Sequence, residues 1–358
     1  MPINVYIDNE AGRSTTKTGI GYFSEHLINE LSAKKEVNTY TYKIGGESDS
    51  LLAKVLLKTY RLLRYAQIDL SLDFTAKLSA HDIVIGANYL IPPTRAFTLP
   101  VIHDLCFIDH PEWVQGRNAM ILRTMLPKTL DRSSGLITIS EFSAERIRKV
   151  YKYQKPILVI PIPPMKSSVE QIRPAGIDGI KTGSYFLFIS TIEPRKNIKT
   201  MLDAFELLPK TTQAHHPLIL AGKPGWDPDT LERLRRNDNP NIHYLEYVSE
   251  SERNWLYGGA LATIIPSHYE GFGMMTLESL DAGTPTITSD IPPHREILGN
   301  TGEYFEPLDT AALKDKMEQF IKPGYRDKAK VSQSAILGEY SWDKTAKQVL
   351  NFIEETIK

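Results

Sequence analysis

The chain has 358 residues, 41% hydrophobic and 24% charged, with a formal net charge of −1 at pH 7. Two domains of ordinary size are expected, and the balanced charge excludes a chain built as a whole to bind nucleic acid. The single cysteine, Cys106, excludes an internal disulfide framework and fits a reducing compartment. No apolar run approaches the ~20 residues that cross a bilayer, and residues 1–10 lack the basic-then-apolar order of a signal peptide. A cytoplasmic protein is therefore expected.

INVYIDN (residues 3–9) predicts the first strand. GIGYFSEHLINEL (19–31) predicts a helix, because Phe23, Leu27, Ile28 and Leu31 recur at helical spacing. The loop between them carries Arg13, Lys17 and the run Thr18-Gly19-Ile20-Gly21. Glycines opening a helix suit a phosphate, but the full GxGxxG is missing, which disfavours a nicotinamide site. TYTYKIG (39–45) predicts a second strand. LLAKVLLKTYRLLRY (51–65) predicts an amphipathic helix with Lys54, Lys58 and Arg61 on one face. Such a helix is either an ordinary domain helix with a solvated basic face or a peripheral contact with an anionic membrane at the inner face of the cell membrane. DIVIGAN (82–88), LPVIHDL (99–105) and GLITIS (135–140) read as further strands. His103 and Asp104 stand at the C-terminal end of theirs, as a histidine able to hydrogen-bond a ligand or move a proton, or as a buried histidine beside a helix-capping aspartate. Cys106 reads as structural. EFSAERIRKVY (141–151) predicts a helix capped by Ser140, and ILVIPIPP (157–164) closes this half. The polar stretch that follows predicts a linker over 166–182.

The pattern then restarts. YFLFIS (185–190), PLILAG (217–222), NIHYLEYV (241–248), LATIIPS (261–267) and TPTITSD (284–290) are apolar runs separated by helical segments. Continuous apolar strands, rather than alternating ones, predict parallel sheets covered on both faces. The fold class is α/β: two doubly wound Rossmann-like domains, over 1–165 and 183–340, with ligands expected at the C-terminal ends of the strands. SWDKTAKQVLNFIEETIK (341–358) predicts a last amphipathic helix.

Three strand-end loops carry the chemistry. TIEPRKN (191–197) leads into a helix, where free backbone N–H groups suit anions and Arg195 and Lys196 add charge. AGKPGW (221–226) places Lys223 beside two glycines that permit close approach of a ligand. YEGFGMMTLE (269–278) sets Glu270 on a glycine loop and Glu278 one or two helical turns on. Carboxylates in that arrangement suit sugar hydroxyls; read without context, Glu278 is equally an exposed helix residue and Glu270 a charge stabilised by the helix dipole.

EPRKN (193–197), the EGFG…E arrangement (270–278) and AGTPTITSD (282–290) resemble the C-terminal domain of retaining glycosyltransferases of the GT-B fold, glycosyltransferase family 4. GIGYFSEHL, VIHDL and ITISEFS are similar to the N-terminal half, so the resemblance covers nearly the whole chain. It implies two domains facing a cleft, with the last helix returning to the N-terminal domain. It also implies that Arg195 holds the donor diphosphate, with Lys196 a second candidate, that Glu270 meets the donor sugar hydroxyls and that Glu278 holds the ribose. The backbone of Phe272, Gly273, Met274 and Met275 would line sugar and phosphate, Gly19 and Gly21 would approach the diphosphate from the other domain, and His103 would lie near the transferred sugar. The implied reaction moves a hexose, with mannose favoured, from a nucleotide diphosphate sugar such as GDP-mannose to a glycan or lipid-linked acceptor, in polysaccharide or lipopolysaccharide biosynthesis. It needs no cofactor and no metal, in keeping with the lack of an Asp-x-Asp loop. One departure is the run IPIPPMK where the family often has an Asn-Gly pair. The competing readings are a GT-B sugar-nucleotide epimerase and a non-catalytic two-domain sugar-binding protein.

Overall fold

The structure, a computed structural model, describes residues 2–9, 19–42, 78–91, 93–164 and 170–357. The segment 51–65 and the loop bearing Arg13, Lys17 and Thr18 lie outside the described residues. The chain divides into two units, Met1–Ile162 with Ser341–Lys358, and Pro163–Tyr340.

The first unit is built on a sheet of β1 (Ile3–Asp8), β2 (Val37–Tyr42), β3 (Ile83–Gly86), β4 (Phe97–Ile102), β5 (Leu136–Thr138) and β6 (Ile157–Val159), in the order β2-β1-β3-β4-β5-β6. Every pairing is parallel. β3 is IVIG, buried throughout, as a strand covered on both faces requires. Ile102, Leu105, Phe107, Leu126, Leu130, Leu136 and Ile147 form one core beneath this sheet. Ser140 caps the helix Glu141–Tyr151 as expected, its Oγ accepting the Ser143 N–H at 3.1 Å.

The last helix, Trp342–Ile357, belongs to this first unit. Ala346, Val349 and Ile353 repeat at helical spacing and are fully buried. At its start Trp342 stacks on His26 of the helix Gly19–Ser32, with ring centroids 4.8 Å apart, and Lys34 pairs with Asp343.

The second unit carries β7 (Phe186–Ile189), β8 (Leu218–Ala221), β9 (Ile242–Leu245), β10 (Ala262–Ile265), β11 (Thr286–Ser289) and β12 (Glu303–Phe305), in the order β12-β11-β10-β7-β8-β9. This is the doubly wound dinucleotide-fold order, also entirely parallel. The apolar run at β7 has a simple cause. Phe186 and Phe188 enter one core with Met201, Phe205, Leu218 and Ile264, while Tyr185 and Leu187 enter another with Ile219, Leu256 and Tyr257. Successive side chains point to opposite faces, so both faces of this strand meet an apolar core.

The unit boundary falls before the expected linker. Ile177, an apolar residue inside that polar stretch, packs on Tyr185 and Leu256, and Arg173 lies over the Trp255 ring at 4.8 Å. Residues 170–183 are therefore folded onto the second unit. Among the described residues, no helix is long and apolar enough to cross a membrane.

Candidate functional site

The strand order of the second unit reverses between β7 and β10, which pair as Ala262↔Phe186 and Thr263↔Leu187. In open α/β sheets such a switch point opens a crevice at the carboxyl ends of the strands. The loop after β7 carries Arg195 and Lys196; the loop after β10 carries Glu270.

Pro194–Lys196 forms a short 3-10 turn, and Asn197 ends it with φ +52°. Asn tolerates this left-handed conformation better than most side-chain-bearing residues. Its side chain ties the two loops together: Nδ2 donates to the Pro266 carbonyl at 2.9 Å and to the Pro307 carbonyl at 2.5 Å. Arg195 and Lys196 are thereby turned onto Glu270. Arg195 Nη1 lies 2.9 Å from Glu270 Oε2, and Lys196 Nζ and Ser267 Oγ each lie 2.6 Å from Oε1. Arg195 Nε also pairs with Glu193 Oε1 at 2.7 Å. Glu193, Lys196 and Glu270 are all buried. Burial by itself would raise the Glu270 carboxyl, but Lys196 and Arg195 outweigh it and hold the group well below the usual carboxylate range.

Gly273 follows, with φ +114°, a backbone angle that side chains resist. A Cβ placed there would lie 3.2 Å from His294 Cδ2 and 3.3 Å from Ile297 Cδ1. Gly273→Ala is therefore expected to lower stability by about 1–3 kcal/mol through backbone strain and crowding; a denaturation midpoint equal to that of the parent would show that the loop relaxes without cost. Gly273 also begins the helix Met274–Asp281, whose N-terminus has no side-chain cap, so its orphan N–H groups remain suited to an anion. Phe272 and Met275 are buried, and Met274 is half-buried.

Glu278 sits in the second turn of that helix. Its Oε2 accepts the Tyr257 hydroxyl at 3.0 Å, and Arg253 Nη1 stands 3.8 Å from Oε1. Burial raises its carboxyl above the ordinary value, opposed by Arg253 and by the Tyr257 hydrogen bond. Glu270 and Glu278, seven residues apart in sequence, are thus tuned in opposite directions. Lys223 is exposed in the loop after β8, with Nζ 5.6 Å from the centre of the Tyr247 ring; it does not join the Glu270 cluster.

The remaining candidates belong to the first unit. Gly19 and Gly21 open the helix Gly19–Ser32. His103 is buried and its Nε2 donates to the Ala87 carbonyl at 2.8 Å. Burial pushes its imidazole down, so it is a neutral ring with Nδ1 as acceptor. Asp104 accepts the Tyr89 hydroxyl and the Cys106 N–H, each at 3.1 Å, which is a capping role. Cys106 is buried.

Four contributors to the second-unit site carry no mark in the sequence reading: Ser267, Tyr257, Arg253 and His294. Ser267, three residues before Glu270, had the one visible signal, a hydroxyl at the end of an apolar strand. Among the described residues, no group of three or more His, Cys, Asp or Glu side chains converges as a metal site would.

Residues 176–336 match the sequence model of the family described as "Glycosyl transferases group 1". The chain is 28% identical to O-antigen chain mannosyltransferase B of Escherichia coli, over 93% of this chain and 95% of that protein. It is 31% identical to the serotype-specific mannosyltransferase WbdA of Escherichia coli over 85% of this chain, but spans only 41% of that longer protein. Among solved structures it is similar to sucrose-phosphate synthase from Thermosynechococcus elongatus, with a TM-score of 0.74, 14% identity and 99% of both chains covered. It is also similar to WaaG, a glycosyltransferase involved in lipopolysaccharide biosynthesis, with a TM-score of 0.67, 14% identity, and 98% of this chain and 99% of that one covered. The chain thus has the two-unit, doubly wound GT-B fold of those structures, and the match to the glycosyl transferases group 1 model falls within the unit that holds the Glu270 cluster.

Proposed function

We propose that the protein is a retaining, metal-independent hexosyltransferase that moves mannose from a nucleotide diphosphate sugar, GDP-mannose in the first instance, to a glycan or lipid-linked acceptor. The observation that carries this reading is the convergence of Arg195, Lys196 and Glu270 at the switch point, beside an uncapped helix N-terminus. A leaving diphosphate needs preorganised positive charge, and two cations with free N–H groups supply it without an added ion. Glu270 keeps its charge under all ordinary conditions, so it accepts hydrogen bonds from sugar hydroxyls and holds both cations in place. Glu278, with its carboxyl raised by burial, is assigned to the ribose, and Lys223 to the rim of the donor site. Gly19 and Gly21 are assigned to the diphosphate. His103, neutral and buried, serves as a hydrogen-bonding group near the transferred sugar rather than as a proton carrier. The choice of mannose rests on two relatives named as O-antigen chain mannosyltransferases.

Retention follows from same-face transfer, the leaving phosphate helping to take the acceptor proton. Glu270 is committed to Lys196, Arg195 and Ser267 and is therefore not the nucleophile of a double displacement; a trapped glycosyl adduct on Glu270 would overturn this. The first experiment is a thermal-shift screen, in the presence of a chelator, against GDP, UDP, ADP and their sugar conjugates. Ligand at 100 times its dissociation constant adds about 2.7 kcal/mol. The expected result is a shift with one base, lost in Glu278→Ala. No shift with any nucleotide overturns the reading.

A further inference from the structure

His294 lies in the first turn of the helix Pro292–Leu298 and is fully buried. Its Nδ1 is 2.8 Å from the Ser289 carbonyl oxygen. A carbonyl only accepts, so Nδ1 carries the proton and Nε2 presents a bare lone pair. That Nε2 is buried and finds no partner among the described residues. An acceptor left unmet at this depth is costly, so a state in which it is met is to be expected.

The surroundings indicate what meets it. Nε2 lies 3.6 Å from the place a Cβ would take on Gly273, the residue that opens the uncapped helix Met274–Asp281. The same imidazole reaches Glu270 through hydroxyls: Ser289 Oγ, 3.3 Å from Nδ1, donates to the Ser267 carbonyl at 2.5 Å, and Ser267 Oγ donates to Glu270. One ring therefore underlies both ends of the Glu270–Gly273 loop.

We propose that His294 is a positioning residue of the donor site: when a nucleotide diphosphate sugar binds, the glycine loop settles and gives a backbone N–H of Phe272 or Gly273 to His294 Nε2. The imidazole does not touch the donor. It fixes the loop whose N–H groups and carboxylate do. This rests on the nucleotide-sugar reading of the site.

Two substitutions separate this role from a structural one. Asn replaces the Nδ1–H and keeps the tie to Ser289; Gln replaces the Nε2 acceptor. His294→Asn is expected to keep the wild-type melting temperature and the affinity for GDP while kcat for mannose transfer from GDP-mannose falls about tenfold, and His294→Gln to recover part of that loss despite a lower melting temperature. Wild-type kcat in His294→Asn overturns the proposal. Should either variant fail to fold, nitrogen-15 spectra of the histidine-labelled wild-type protein decide: addition of GDP-mannose should shield Nε2 as it accepts a hydrogen bond, and an unmoved resonance in a protein that GDP-mannose stabilises overturns the proposal. If no nucleotide sugar stabilises the wild-type protein, the donor reading falls and this inference with it; if GDP-mannose binds and only the His294 results fail, the donor reading stands alone.

Discussion

Glu270→Ala is expected to destabilise the second unit by about 3–5 kcal/mol, the range found when one partner of a buried ion pair is removed. Lys196 would remain buried with neither a carboxylate nor the Ser267 contact to that carboxylate. Glu270→Gln keeps shape and one acceptor oxygen and should lose less stability, yet its transfer rate should fall by about 10²–10³, because the carboxylate that orders both cations is gone. The pH dependence has a definite sign. The folded carboxyl is held far below its unfolded value, so its stabilising contribution is complete above the ordinary glutamate value of about 4.3 and is lost as the pH falls below it. Glu270→Gln should therefore narrow its stability deficit in acid. Chemical denaturation of both variants across that range checks this, and a deficit that is flat with pH would mean that the ion pairs contribute nothing net.

Arg195→Ala is the second large effect. Stability should suffer less than in Glu270→Ala, because the Arg195 side chain is 22% exposed and Lys196 still neutralises the carboxylate. Activity should suffer about as much as when one donor to a developing anion is removed, roughly 10²–10³ in kcat/KM. Arg195→Lys should not restore it. The guanidinium directs Nε to Glu193 and Nη1 to Glu270, and an ammonium cannot reproduce that fork. Steady-state kinetics alongside the affinity for free nucleoside diphosphate would show the loss; full kcat in Arg195→Lys would refute the role.

Both loops were legible in the sequence because glycine, proline and charge interrupt apolar runs at strand ends. What joins them was not. Lys196 and Glu270 are 74 residues apart, and only the crossover that sets β10 beside β7 makes them neighbours. His294 was hidden for another reason: PPHREIL looks like a proline-led helix start, and nothing in its spacing shows the third residue turning inward under Gly273. Most strand cores were readable, although their bounds drift: PLILAG extends one residue beyond β8 at each end, whereas LPVIHDL begins two residues after β4 does. β12 was missed because three residues, EYF, are too few to show a period. The polar composition of 170–183 outweighed its few buried positions, Pro174 and Ile177, of which Ile177 packs into the second unit's core.

The grouping of Ser341–Lys358 with the first unit has a consequence for the order of assembly. On the ribosome, residues 163–340 emerge as one unbroken stretch and can close their own core while synthesis continues. The first unit cannot. Its sheet is complete some 180 residues earlier by the register of β5 and β6, yet Phe352 is still needed against Gly135, and Trp342 against His26. Of the two units, the one whose synthesis starts first is therefore the one that closes last, and until then the apolar surface that the last helix covers stays open.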